Sequence, residues 1–200
     1  METLVPLAYG LCVVIADETE QKMPALLFKL IRKHEITILQ STPSKIQSLI
    51  RDPESQAGLT CLKDIFIGGE PLTETVLEKL RRTTPSARIF NMYGPTETTV
   101  WSMVKEVTGE DRITIGRPLA NTQVYILDKA KEPVPEGVTG EIFIGGDGVA
   151  RGYLGRPELT RERFLPNPFG QGKLYKTGDL GRWTAEGEIG GLSPITISGG

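Results

Sequence analysis

The chain has 200 residues, with 23 Lys and Arg against 25 Asp and Glu, one His, and a formal net charge of −2. An apolar share of 38% beside 24% charged residues is that of a globular chain able to bury a core, and the balanced charge offers no basic footprint for nucleic acid or an anionic membrane surface. The lone His34 and the widely separated Cys12 and Cys61 exclude multi-histidine metal sites, most His-based triads and a disulfide framework.

Leu11-Cys-Val-Val-Ile-Ala16 is a continuous apolar run, read as a strand covered on both faces and far too short to span a bilayer. No cationic segment leads into an apolar stretch near Met1, so no secretory signal is expected and a reducing cytoplasm is the expected compartment. Met23, Leu26, Leu27, Leu30 and Ile31 fall at helical spacing, with Pro24 in the first turn and His34 at the end as a surface helix-end residue. A second strand follows at Ile36–Gln40, then a short helix opened by Pro43 that buries Ile46, Leu49 and Ile50. Ile65–Ile67 is a third strand. The next helix, N-capped by Thr73, turns Leu72, Val76, Leu77 and Leu80 inward, and Arg88–Asn91 is a fourth strand. Strand–helix alternation of this kind implies a parallel sheet with right-handed crossovers, whose ligands bind beyond the C-terminal strand ends.

At those ends stand Gly68-Gly69-Glu70-Pro71 and Asn91-Met-Tyr-Gly-Pro-Thr-Glu-Thr-Thr99. Adjacent glycines let a ligand approach the backbone closely. Thr96 and Glu97, after the Gly94-Pro95 turn, offer a hydroxyl and a carboxylate, hard oxygen donors that suit a magnesium–phosphate centre. Tyr93 adds an aromatic face that can stack on a base. On the residues alone, a Pro turn with a threonine-rich cap and a solvated Glu is an equal reading.

The second half changes character: residues 1–100 hold 5 of the 23 glycines and residues 101–200 the other 18. Gln123–Asp128 and Glu141–Ile144 are strands around a Pro133/Pro135 turn region, and Pro157–Phe164 is a short helix. The glycine cluster from Gly145 to Gly152 is not a nucleotide fingerprint, because Arg156-Pro157 stands where a phosphate-binding helix would begin. Tyr175-Lys-Thr-Gly-Asp179 places a carboxylate after a tight glycine turn, where Asp179 either accepts from ribose hydroxyls or serves as a turn-forming Asx residue.

Taken together, Gly68-Gly69-Glu70, Asn91-x-Tyr-Gly-Pro-Thr-Glu97, Gly140-Glu-Ile-Phe-Ile-Gly-Gly146, Ala150-Arg-Gly-Tyr153, Arg156-Pro-Glu-Leu-Thr160 and Tyr175-Lys-Thr-Gly-Asp-Leu180 resemble, in order and spacing, the adenylation domains of nonribosomal peptide synthetases, members of the adenylate-forming, AMP-binding superfamily. The resemblance implies an α/β fold with a parallel strand–helix–strand subdomain at 1–112, a β-rich, distorted barrel-like subdomain at 113–189, and a non-matching tail at 190–200. It implies a ligase of secondary-metabolite biosynthesis that forms aminoacyl-AMP and pyrophosphate from an amino acid and Mg-ATP, then passes the acyl group to phosphopantetheine on a carrier domain. Carrier and condensation domains of the same synthetase are the implied partners, with no nucleic acid and no membrane. It further implies that Tyr93 packs on adenine beside the Gly69–Glu70 backbone, that Asn91 and Gly94 also line the nucleotide site, that Thr96 lies near the phosphate and substrate carboxylate, that Glu97 holds Mg²⁺, and that Asp179 binds the ribose. Adenylate formation develops negative charge on phosphate, which a metal and aligned donors stabilise.

By the same resemblance, Met1, Gln40, Phe66, Gly68, Met92, Val100 and Trp101 line the amino-acid pocket, in a pattern similar to glycine-selecting domains. Phe66 and Gly68 lie two apart and share one strand face; the same residue types also read as core hydrophobes. The family's upstream phosphate loop, the acidic residue that grips the substrate amino group, and the C-terminal lysine domain have no counterpart here, so the chain is expected to be an internal fragment, inactive alone. An acyl-CoA synthetase-like enzyme and a non-catalytic nucleotide-binding α/β module are the alternative readings.

Overall fold

Ile65 and Ile67 are fully buried while Phe66 between them is only partly so, and this alternation orients the first sheet. The computed structural model describes residues 3–51 and 58–194. Strands β1 (Ile38–Ser41), β2 (Asp64–Gly68) and β3 (Arg88–Tyr93) run parallel in that order, joined through helices Pro43–Leu49 and Glu74–Thr83. Thr42 and Thr73 cap those helices by accepting from the amides of Lys45 and Val76, each cap contributing about 1 kcal/mol. Phe28 and Ile31 from helix Pro24–Lys33, with Ile46, Leu49, Leu77 and Leu80, close one sheet face over Ile65, Ile67 and Ile89. Removing such a side chain to Ala costs about 2–5 kcal/mol.

The expected parallel sheet is mixed: β4 (Met103–Glu106) and β5 (Arg117–Pro118) add antiparallel strands beside β3. The first sheet thus extends past the expected division at residue 112. The expected strand at Leu11–Ala16 is irregular instead, with Leu11 and Ile15 exposed. A strand needs a hydrogen-bonded neighbour, and among the described residues none pairs with it, so its apolar composition alone forms no strand. A short helix at Glu18–Lys22, not anticipated, is held by an Asp17–Glu20 capping box.

The second sheet is antiparallel in the order β10 (Ile189–Pro194), β9 (Lys173–Trp183), β7 (Gly140–Gly146) and β6 (Thr122–Leu127), with β8 (Phe164–Pro166) beside β9. Asp179, expected just after a turn, lies inside β9; Gly178 supplies the positive φ of +81° within the strand. Residues 190–194 of the expected tail continue β10, while 195–200 and Met1 lie outside the described residues. Met103 and Ile115 share a core with Ile126, Ile142, Ile144 and Ile189, so the two sheets pack on one another. Across that seam the Ile115 amide donates to the Ile189 carbonyl at 2.9 Å. The Lys105 ammonium meets Glu188 at 2.5 Å. No helix among the described residues is long and apolar enough to cross a membrane.

Candidate active site

The sheet face opposite the helices carries the expected pocket residues because strand register aligns them. Gln40 pairs with Phe66 and Phe66 with Phe90 in one row, and Gly68 pairs with Met92 in the next. The Phe66 and Phe90 rings stack at 4.9 Å. Trp101 folds back over this wall: its indole N–H donates to the Gln40 amide oxygen at 3.3 Å. A Cβ built on Gly68 would sit 2.5 Å from the Trp101 ring and 2.6 Å from the Met92 carbonyl, so only glycine admits the indole. Trp101 gets there through two consecutive left-handed residues, Thr99 at φ +64° and Val100 at φ +73°. Val100 is 36% exposed. Gly94 packs against the same turn, where a Cβ would come 2.5 Å from the Val100 carbonyl.

At the C-terminal end of β3 the Tyr93 hydroxyl donates to Asp179 Oδ2 at 2.7 Å, joining the two sheets. Burial, and then the hydrogen bond and charge of Asp179, push the Tyr93 phenol well up, so it stays a neutral donor. Asn91 is buried and donates to the Thr114 carbonyl at 2.7 Å, tying β3 to the segment before β5. Gly69 turns at φ +82°. The Glu70 carboxylate beside it accepts from the Ser44 amide at 3.1 Å and the Ser44 hydroxyl at 2.8 Å. That contact fixes the loop after β2 to the start of helix Pro43–Leu49.

Thr96 and Glu97 begin the 3₁₀ turn Thr96–Thr98, with the Thr96 residue exposed and Glu97 half-buried. Glu97 Oε1 accepts from the Tyr153 hydroxyl, whose oxygen lies 3.3 Å from that of Tyr175. Burial pushes the Glu97 carboxyl up, but hydrogen bonds from Tyr153, a backbone amide and Tyr175, with the charge of Arg163, outweigh it and hold the group below the ordinary carboxylate range. Glu97 is therefore an anion at neutral pH. Among the described residues no group of three or more His, Cys, Asp and Glu gathers. A single ionised carboxylate beside an exposed hydroxyl is the donor set for a Mg²⁺ that takes its remaining oxygens from phosphates and water, so Glu97 and Thr96 fit that ion.

Of the residues singled out from sequence, the structure brings Gln40, Gly68, Met92 and Trp101 into one cluster and Tyr93 and Asp179 into another, with the Thr96–Glu97 turn following Tyr93 and Gly94 in the chain. Sequence reading missed the roles of Tyr153 and Tyr175. Both lie in quoted motifs, but a sequence separation of 56 between Tyr153 and Glu97 carries no spacing signal that would pair them.

The sequence model of the family described as AMP-binding enzyme matches residues 1–154. Tyrocidine synthase 3 of Brevibacillus parabrevis is 42% identical over 186 residues, spanning 92% of this chain and 3% of that protein. A dimodular nonribosomal peptide synthase of Bacillus subtilis (strain 168) is 41% identical, spanning 94% of this chain and 8% of that protein. The chain thus covers a small part of the curated relatives it matches. Among solved structures, a holo four-domain nonribosomal peptide synthetase bound to AMP and glycine is 39% identical, with a TM-score of 0.86 over 95% of this chain and 14% of that one. A protein containing adenylation and PCP domains is 28% identical, with a TM-score of 0.77 over 86% of this chain and 36% of that one.

Proposed function

The chain belongs to the AMP-binding enzyme family, with the adenylation domains of nonribosomal peptide synthetases as its relatives, and from that premise we propose that it activates glycine. In this reading the first sheet, running through Arg117–Pro118, and the second, from Thr122 to Pro194, mark the two subdomains of an adenylation core within a longer synthetase. The substrate carboxylate oxygen attacks the α-phosphorus of ATP, the bond to the bridging oxygen breaks, and pyrophosphate leaves with the electron pair. Glycyl-AMP remains, for transfer to a carrier-domain phosphopantetheine; carrier and condensation domains are the partners.

Each residue has a defined part. Tyr93 presents its ring to adenine beside the Gly69–Glu70 backbone, and Asp179, held at one oxygen by Tyr93, accepts from the ribose hydroxyls with the other. Asn91 and Gly94 shape the nucleotide wall without needing to touch it. The Thr96 hydroxyl faces the α-phosphate and the substrate carboxylate, and Glu97 holds Mg²⁺. When bound there, the ion neutralises the charge that builds on the phosphate oxygens.

The observation that carries the glycine reading is the Trp101 indole pressed onto Gly68 and anchored by Gln40. A side chain on the substrate would compete for the space the indole fills, and a crowded wall rejects added bulk sterically. The AMP- and glycine-bound relative supports the same substrate. Incubation of the full-length protein with Mg-ATP, glycine and hydroxylamine tests it. Glycine hydroxamate and pyrophosphate should form together; formation of a fatty or aryl hydroxamate instead would assign the site to another carboxylate class.

A further inference from the structure

One loop of the second sheet's side grips the turn that carries Glu97. The Ala150 amide donates to the Glu97 carbonyl at 2.8 Å, and the Thr99 hydroxyl donates to the Gly148 carbonyl at 2.7 Å. The contact is close: a Cβ on Gly148 would lie 2.9 Å from the Thr98 carbonyl. Three residues on from Ala150, Tyr153 donates its hydroxyl to Glu97 Oε1. The same loop therefore fixes both the backbone of Glu97 and one of its two carboxylate oxygens.

Tyr153 is itself held from several sides. Its amide donates to the hydroxyl of Thr160, midway along helix Pro157–Arg163, at 2.9 Å. Its ring meets Phe164 edge-on at 5.3 Å, and Phe164 in turn packs on Tyr175 at 5.1 Å. An aromatic side chain locked by its own backbone, a ring partner and a second hydroxyl loses little entropy when it donates, so its hydrogen bond can orient a flexible carboxylate.

We propose that Tyr153 is the positioning residue for the metal-bearing carboxylate: it occupies Glu97 Oε1 so that Oε2 is presented to a divalent cation in one fixed direction. This rests on the reading of Glu97 as the metal ligand. The loop 148–153 thereby makes metal capture at the end of the first sheet depend on the seating of the second.

The test is Mn²⁺ binding to the full-length protein with ATP, followed by the electron paramagnetic resonance signal of free Mn²⁺, in parallel with AMP affinity in EDTA. Y153F should weaken Mn²⁺ binding about tenfold, the loss of one hydrogen bond to a charged group, and leave metal-free AMP affinity unchanged. T160V, which releases the Tyr153 amide without touching Glu97, should shift Mn²⁺ binding in the same direction by a smaller factor, and it keeps the question open to measurement if Y153F does not fold. E97Q should abolish the site. Should E97Q bind Mn²⁺ as tightly as wild type, the metal reading of Glu97 itself falls. If E97Q loses the metal while Y153F and T160V bind it normally, or if Y153F weakens AMP as much as Mn²⁺, only the positioning role is overturned.

Discussion

The Tyr93 hydroxyl and the Asp179 carboxylate, 86 residues apart and on different sheets, meet at 2.7 Å. Their contact uses Oδ2, so Oδ1 is the oxygen that the proposed function gives to the ribose. If that oxygen receives the ribose, Asp179→Ala should weaken AMP binding to the full-length protein about tenfold, as loss of a charge-assisted hydrogen bond does. It should also erase any preference for AMP over 2′-deoxy-AMP. Calorimetric titration with both nucleotides checks this; a D179A protein that keeps the ribose preference would remove Asp179 from the site.

Gly68 and Trp101 make a second, steric prediction. A Cβ at Gly68 would stand 2.5 Å from the indole, so Gly68→Ala must displace Trp101 and should lower glycine-dependent activity. Trp101→Ala should act oppositely on selectivity, opening space for alanine or serine. Rates with glycine, alanine and serine in the two variants give the measurement, and a W101A enzyme that still refuses both larger substrates would contradict the packing account.

Glu97→Gln removes the charge but keeps the shape. Activity should fall on the order of 10²-fold, the scale set by losing one electrostatic group in a reacting site, and the Mg²⁺ concentration needed for half-maximal rate should rise. A Mg²⁺ titration of pyrophosphate exchange in both proteins measures it; equal metal requirements would count against the assignment.

The seam between the sheets should show in the pH dependence of stability. Burial pushes the Glu188 carboxyl up, but the hydrogen bonds from Lys105 and Thr114 and the Lys105 charge outweigh it, so its folded value lies below the ordinary one. For a depressed carboxylate, the stabilisation is complete above the unfolded value of about 4.3 and is lost as pH falls through the folded value. Wild type should therefore exceed E188Q in urea stability at pH 7, and the gap should shrink towards pH 3. A gap of constant size across that range would contradict the linkage.

Much of the first sheet was readable because its helices show apolar stripes and polar caps, as at Thr73 and Val76, and its strands are short apolar runs such as Ile65–Ile67. Leu11–Ala16 misled for the complementary reason: apolar composition predicts burial, while a strand also needs a partner that sequence does not display. The place of Asp179 inside β9 is not legible from sequence, since Gly178 signals a turn as readily as a left-handed step within a strand. The Tyr153–Glu97 contact is illegible because it joins segments that follow strands of different sheets, and only the folded chain brings those residues together.

The central claim is that this site adenylates glycine, and amino-acid-dependent exchange of pyrophosphate into ATP by the full-length protein tests it most directly. Across a panel of amino acids, fatty acids and aryl acids, exchange should be fastest with glycine and should fall as the substrate side chain grows. Exchange that is fastest with a larger amino acid and negligible with glycine would contradict it.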